Sequence, residues 1–74
     1  RPLIEDTFDC VGQEVIKGLH TKLNLAKQKY TFEGIYFNYQ ELIPDRVKCL
    51  YTVENNKFNN INKLTLNIKK IIHE

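Results

Sequence analysis

The chain is poor in the residues that build metal sites and in the apolar runs that cross membranes. It has two cysteines, Cys10 and Cys49, and two histidines, His20 and His73. None of these four residues lies at the short spacing that zinc ligands use, so we expect no metal site and two reduced, unmetallated thiols. No apolar run approaches the roughly 18 residues of a membrane span, and no signal-peptide pattern is present. These absences predict a cytoplasmic domain that makes no membrane contact.

Residue patterns of enzyme active sites are missing as well. The sequence contains no Ser/His/Asp or Cys/His arrangement that could form a nucleophilic site. Its densest group of carboxylates, Glu5, Asp6 and Asp9, is typical of a solvated acidic segment rather than of a metal site. We therefore expect a chain that has no catalytic activity and no cofactor of its own.

The composition is that of one small globular domain. Hydrophobic residues make up 42% of the chain and charged residues 27%, which argues against disorder. Its 74 residues suffice for a single core near the lower limit of independent folding. Because the chain opens with Arg-Pro rather than with methionine, we interpret residues 1–74 as a single domain excised from a larger protein. Residues 1–7 are expected to form a linker or leader.

Alternation of apolar and polar residues predicts five β-strands and no substantial helix. The strands are expected near residues 8–16, 19–26, 30–39, 46–54 and 63–72. Five strands in so short a chain predict a small antiparallel barrel, because closure removes the exposed edges of a flat sheet. Gly12, inside the long first strand, suits a strand that bends to pair on both of its sides.

The same alternation predicts which residues form the core. In the third strand it places Ile35 and Phe37 inside, and it leaves Tyr36 on the outer face, with Phe32 open to either assignment. The nine residues expected in the core share an inner face of their strands: Leu23, Leu25, Ile35, Phe37, Val47, Val53, Leu64, Leu66 and Ile68.

Lysines are concentrated in two segments of the chain. Residues 15–40 and 55–74 are basic, whereas residues 1–14 and 41–54 are acidic. If the two basic segments lie side by side, they form a positive face of the kind that binds nucleic acid. The alternative is that the lysines only solvate strand surfaces and edges.

Three stretches of the chain carry a family resemblance: GLHTKLNL (residues 18–25), FEGIYFN (32–38) and VENNKFNNINKLTLNIKKI (53–71). Together they resemble the C-terminal oligonucleotide-binding (OB) fold domain of RecJ-type single-stranded-DNA exonucleases. The residues at the family's spacing are Gly18, His20, Leu23, Leu25, Glu33, Gly34, Ile35, Phe37, Asn38, Asn56, Phe58, Leu64 and Leu66. Asn60 stands where the family has a glycine, and both residue types accept a positive φ. The resemblance covers roughly residues 8–72 and implies an all-β, five-stranded OB-like Greek-key barrel, with an SH3-like barrel as the alternative.

The resemblance also implies a function. The parent chain would be a 5′-to-3′ exonuclease on single-stranded DNA, active in DNA repair and recombination, with manganese or magnesium in its catalytic core. This chain has no aspartate-histidine-histidine motif, so it would be a non-catalytic domain that guides DNA to that core. Barrels of this class bind nucleic acid on the face of strands two and three, with lysines for phosphates and rings for bases. The expected nucleic-acid-binding residues are Lys22, Lys27, Lys29, Tyr30, Phe32, Tyr36, Lys57 and Lys63.

A second function is compatible with the same residues. The outer-face aromatic residues can dock on the catalytic domains of the parent chain or on single-stranded-DNA-binding protein. His20 is expected to be a structural hydrogen-bonding residue rather than a DNA contact. The two functions differ in their response to salt, because phosphate contacts weaken steeply with salt and apolar docking does not.

Overall fold

The computed structural model describes residues 2–72, apart from the side chain of Phe58. Five strands follow one another along the chain: β1 (Ile4–Ile16), β2 (His20–Lys27), β3 (Tyr30–Tyr36), β4 (Arg46–Phe58) and β5 (Ile61–Ile72). β3 is shorter than expected, and Asn38, just beyond its end, has a positive φ of 56°. β4 and β5 are joined by Asn59 and Asn60, whose φ angles of 51° and 64° are those of a tight two-residue hairpin turn. Asparagine suits these two positions because it tolerates the left-handed conformation.

The strands form a closed barrel in the order β1-β2-β3-β5-β4. β1 pairs with both β2 and β4, and β4 pairs with β5, all antiparallel. β3 and β5 complete the barrel through a parallel pairing that runs from Glu33 opposite Thr65 to Ile35 opposite Asn67. The expected all-β, OB-like Greek-key barrel is thus confirmed in preference to the SH3-like alternative. The expectation that every pairing is antiparallel is wrong at this one pairing.

β1 serves two neighbours in succession. Its residues Ile4–Asp9 pair with β4, and its residues Asp9–Ile16 pair with β2, so Asp9 has a partner on each side. The register shifts between Cys10 and Gly12, which is the bend expected around this glycine. Residues 4–7 therefore belong to the barrel, and their assignment to a linker or leader is wrong. The acidic side chains obscured this strand because Glu5 and Asp9 point to solvent while Ile4 packs against the core.

The core lies inside the barrel. Its fully buried apolar side chains come from β1, β2, β4, β5 and the loop that follows β3, and the partly buried Phe32 and Tyr36 of β3 pack against them. Its buried apolar residues are Phe8, Leu23, Leu25, Ile43, Val47, Cys49, Tyr51, Leu66, Ile68 and Ile71. Five of the nine residues expected in the core are among them: Leu23, Leu25, Val47, Leu66 and Ile68. The alternation of β2, and of β5 from Leu66 onward, therefore predicted the inner faces correctly.

The faces of β3 are the reverse of those expected. Leu23 pairs with Gly34 and Leu25 with Phe32, and residues directly opposite each other on paired strands share a face. Phe32, Gly34 and Tyr36 therefore point inward, and Ile35 points outward. Gly34 makes this packing possible, since a Cβ there would lie 3.2 Å from Leu25 Cδ1 and 3.5 Å from Ile68 Cδ1. Phe37 lies beyond the end of β3 and is exposed.

Residues 53–64 form a projecting hairpin. The pairing of β4 with β1 ends at Tyr51, and β5 contacts β3 only from Thr65 onward. The two strands beyond these points pair with each other alone. Val53 and Leu64 are therefore exposed, Leu64 to 60%, and their assignment to the core is wrong. The alternation identified their face correctly, but the barrel ends before it can bury them.

Cys49 and Cys10 are free thiols, as expected from their spacing. Cys49 is fully buried, and burial, followed by the nearby negative charge of Asp6, raises its pKa to about 11. Because the thiolate is the reactive form, we predict that Cys49 in the native domain reacts with iodoacetamide at pH 8 at least roughly 100-fold more slowly than a free cysteine. Mass spectrometry of the alkylated protein gives the rate. Both thiols should react in denaturant without reductant, and failure of both to react would indicate a disulfide.

Candidate nucleic-acid interface

The outer face of β2 and β3 is the surface on which OB barrels bind their ligands. Its residues pair across the two strands: Lys22 with Ile35, Asn24 with Glu33, and Ala26 with Thr31. β1 borders this face through Gly12, where a Cβ would lie 3.0 Å from the side-chain nitrogen of Asn24. The glycine thus leaves room for the asparagine side chain. Asn24 was not among the expected site residues, although its position between Leu23 and Leu25 already placed it on this face.

Glu33 lies at the centre of the outer face between two of the expected lysines. Its Oε2 is 2.7 Å from the Nζ of Lys63, and its Oε1 is 4.0 Å from the Nζ of Lys22. The three side chains come from β3, β5 and β2, so the closed barrel brings them together. The carboxylate side chain is 22% exposed, whereas those of Lys22 and Lys63 are 43% and 57% exposed. Both ammonium groups therefore remain accessible to a ligand.

The turn between β2 and β3 carries two of the expected lysines in different environments. Lys27 donates a hydrogen bond to Asp6 on β1 and is held against the barrel. Lys29 is exposed and forms no ion pair with any residue of the described range 2–72. Tyr30 follows it and is 64% exposed, with its ring centre 6.4 Å from that of Phe32. An accessible lysine and an accessible ring thus lie next to each other at this turn.

Phe32 and Tyr36 do not lie on the outer face, because the register of β3 turns them inward. The Phe32 ring packs edge-on against Phe8, with ring centres 6.0 Å apart. The Tyr36 ring stacks on Tyr39 at 4.2 Å with an interplanar angle of 7°. Both side chains are partly buried against the core. The expectation that Tyr36 lies on the outer face is wrong, and Phe32, which the alternation left open, faces the core. Tyr30 is the exposed ring of the three expected.

The projecting hairpin supplies the other two expected lysines. Lys57 pairs with Asn62, and Lys63 pairs with Asn56, across the two strands. Lys57 is exposed and makes no ion pair within residues 2–72. Because β5 runs parallel to β3, the hairpin extends from the barrel toward the end that carries the β2–β3 turn. Lys29 and the projecting hairpin therefore lie at the same end of the barrel. Lys63 is on the outer face, and Lys57, which is opposite Asn62, is on the other face of the hairpin.

Asp6 connects three strands at the side of the barrel. Its carboxylate accepts hydrogen bonds from Lys27 on β2 and, at 2.8 Å, from the Tyr51 hydroxyl on β4. The Lys27 hydrogen bond and then that of Tyr51 hold the pKa of Asp6 below its ordinary value of 3.8. Burial, followed by the hydrogen bond to Asp6, raises the pKa of Tyr51 to about 12. Lys27 thus stabilises the barrel in addition to any contact with a ligand.

We predict that Asp6→Asn lowers the free energy of unfolding at pH 7 by roughly 1 kcal/mol, since it removes a partly exposed ion pair. The folded-state pKa is depressed, so this stabilisation is present above pH 3.8 and is lost as the pH falls through the folded pKa. The difference in free energy of unfolding between wild type and Asp6→Asn, measured by urea denaturation, should therefore become smaller below about pH 4. Asp9→Asn is the control, because the Asp9–Arg46 pair at 3.1 Å is more exposed. Equal destabilisation at pH 7 and pH 3 would contradict the assignment.

The opposite end of the barrel carries an exposed apolar patch, here called the loop-end patch. Its members are Val15, Leu19, Phe37 and Leu42. Val15 and Leu42 line one shallow groove with Thr21 and Gln40, and the Gln40 side chain reaches the Leu19 carbonyl at 3.5 Å. Leu42 is 83% exposed.

His20 lies beside the loop-end patch and has a structural role. Its Nδ1 accepts a hydrogen bond of 2.9 Å from the Asn38 N–H. Its ring packs edge-on against that of Phe37, with centres 5.0 Å apart. The expected role of this histidine as a hydrogen-bonding residue is confirmed.

Residues 2–72 contain neither a cluster of metal ligands nor a membrane-spanning helix. No three His, Cys, Asp or Glu side chains of this range are grouped so that they could hold a metal ion. The same part of the chain contains no helix with the length and apolar character needed to cross a membrane.

The strand order, the parallel closure and the polar face on β2 and β3 define a small OB-fold domain. The family described as the RecJ OB domain matches residues 1–70, and the chain belongs to this family. The resemblance noted in the three sequence stretches is thereby confirmed. The family is a non-catalytic, nucleic-acid-binding module of RecJ-type proteins. Comparison with curated proteins and with solved structures gives no match.

Proposed function

We propose that this domain binds single-stranded DNA on the outer face of β2 and β3 and guides the strand to the metal-dependent core of a RecJ-type exonuclease. The observation that carries the proposal is the meeting of lysines from β2, from β5 and from the β2–β3 turn at this one face. Lys22 and Lys63 lie at its centre beside Glu33, and Lys29 lies at its end. Lys57 lies at the same end of the barrel but on the other face of the projecting hairpin. Lysines on the face of an OB barrel can contact successive phosphates of a bound strand, and these contacts do not depend on the base sequence.

Bases would stack at the β2–β3 turn. Tyr30 presents an exposed ring beside Lys29, so one residue can contact a base while its neighbour contacts the adjacent phosphate. A base stacked on an aromatic ring contributes about 1–3 kcal/mol, and every base has a face that can stack. The asparagines of the projecting hairpin add polar groups that can bond to phosphates or sugars.

The test is charge reversal at Lys29 and Lys57, the two expected site lysines that form no ion pair with described residues. The double variant Lys29→Glu/Lys57→Glu should bind all single-stranded sequences more weakly, with a salt slope flatter by about 0.7 for each phosphate that the variant no longer neutralises. Fluorescence anisotropy of labelled oligonucleotides at two salt concentrations measures both quantities. Tyr30→Ala should weaken binding and leave the salt slope nearly unchanged, because it removes a stack and no charge.

The matched control is Lys69→Glu/Lys70→Glu. These two lysines are exposed near the far end of β5, and their reversal changes the net charge by the same amount. Equal weakening by both double variants would mean that only net charge matters. The outer face would then not be the DNA path.

The loop-end patch favours a second function, docking on a protein partner. Its exposed apolar residues lie at the end of the barrel away from the projecting hairpin, where they would remain free while DNA is bound. The candidate partners are the catalytic domains of the parent chain and single-stranded-DNA-binding protein. Docking there should be nearly independent of salt and be weakened by Leu42→Asp, whereas the DNA affinity of the domain should not respond to Leu42→Asp. Binding assays with each purified partner distinguish the two functions.

A further inference from the structure

We propose that Glu33 restrains DNA binding by occupying the two lysines at the centre of the outer face. This inference rests on the proposed function. The affinity of the domain for a single strand would then be set by competition between one carboxylate of the protein and the phosphates of the DNA.

The geometry of Glu33 supports this role. Its neighbours Phe32 and Gly34 point inward, so the glutamate points out from the middle of the face. It forms a direct ion pair with Lys63 at 2.7 Å and lies 4.0 Å from Lys22. One carboxylate thus shares two ammonium groups, and the centre of the face has one net positive charge instead of two. Lys29, which forms no ion pair with described residues, lies at the end of the face and not at its centre.

A phosphate that approaches Lys63 must displace Glu33 or share the ammonium group with it. In either case the carboxylate repels the phosphate across a short distance. An exposed ion pair of this kind changes an equilibrium only modestly, by roughly 1.5- to 5-fold. The pairs of Glu33 with Lys63 and Lys22 therefore weaken the phosphate contacts of these two lysines without abolishing them. Weak central contacts suit a surface along which a strand must move.

The experiment is titration of labelled oligo(dT) against wild type and Glu33→Gln. The variant should bind about 3- to 10-fold more tightly at low salt and show a steeper salt dependence, because both lysines become available to phosphates. Glu41→Gln is the matched control, since it removes the same charge from the loop after β3 and should change affinity less than about 2-fold.

A double-mutant cycle with Lys63→Gln tests the competition itself. Lys63→Gln should cost little affinity in wild type, where Glu33 already occupies the ammonium group, and more in the Glu33→Gln background. Equal costs in the two backgrounds would overturn the proposal. Thermal unfolding of each variant checks the fold, and Glu33→Asp, which shortens the side chain but keeps its charge, should give an intermediate affinity if Glu33→Gln is unstable.

The outcomes separate this inference from the proposed function. If wild type binds DNA and Glu33→Gln binds no better than Glu41→Gln, the restraint by Glu33 is refuted and the proposed function stands. If neither wild type nor Glu33→Gln binds at low salt, the proposed function fails, and this inference fails with it.

Discussion

Replacing Phe8 with alanine is expected to lower the free energy of unfolding by about 3–5 kcal/mol. The side chain is 2% exposed, and its ring packs against Phe32 at 6.0 Å and Tyr51 at 5.6 Å. It therefore joins β1, β3 and β4 in the core. Since small domains are stable by only about 5–15 kcal/mol and this one is near the lower size limit, much of the variant should be unfolded at 25 °C.

Urea denaturation followed by circular dichroism measures this destabilisation. Val11→Ala on the same strand is the control, because Val11 is 64% exposed and its truncation should change stability by no more than about 0.5 kcal/mol. A similarly small effect of Phe8→Ala would place the N-terminal half of β1 outside the core, as a leader.

Gly34→Val is expected to destabilise the domain by about 1–3 kcal/mol or more through overpacking. The first added carbon would already lie 3.2 Å from Leu25 Cδ1 and 3.5 Å from the Leu66 carbonyl oxygen. The carbonyl belongs to the backbone of the parallel pairing that closes the barrel, so it cannot move away without loosening that pairing. Thr31 in the same strand points outward, which makes Thr31→Val the control for the effect of adding a valine to β3.

A second substitution shows whether the contact with Leu25 is the cause. Leu25→Ala alone should cost about 2–5 kcal/mol, but it opens space next to Gly34. The double variant Leu25→Ala/Gly34→Val should therefore be more stable than the sum of the two single effects predicts. Strict additivity in urea denaturation would show that Gly34 tolerates a side chain without contacting Leu25.

The sequence was sufficient to predict the strands and the barrel, since period-two alternation is strong in β2 and β5. It was insufficient in β3, where apolar residues occur on both faces and the innermost position is a glycine. Gly34 has no hydrophobic side chain to mark the inner face, so the alternation points to Ile35 and Phe37 instead. Leu64 shows a second limit, because alternation predicts a face but not where the barrel ends.

The exposure of the lysines was predictable residue by residue, but their arrangement was not. Lys22, Lys29, Lys57 and Lys63 are basic and accessible, as their positions in polar stretches suggested. The ion pair between Glu33 and Lys63 joins residues far apart in the chain through the parallel pairing of β3 with β5. Charge counting along the sequence treats the two as separate and cannot show that one neutralises the other.

The parallel pairing of β3 with β5 also has a consequence for the order of folding. The β1–β2–β3 meander and the β4–β5 hairpin are built from contacts between neighbouring strands, whereas the β1–β4 and β3–β5 pairings join distant parts of the chain. Contacts of large sequence separation are slow to form, because the intervening chain must first be confined. We therefore expect barrel closure to be the late, rate-limiting event of folding. Lys63 reaches Glu33 only at that event, so a chain that has formed both hairpins but has not closed would not yet possess the charged group at the centre of its outer face.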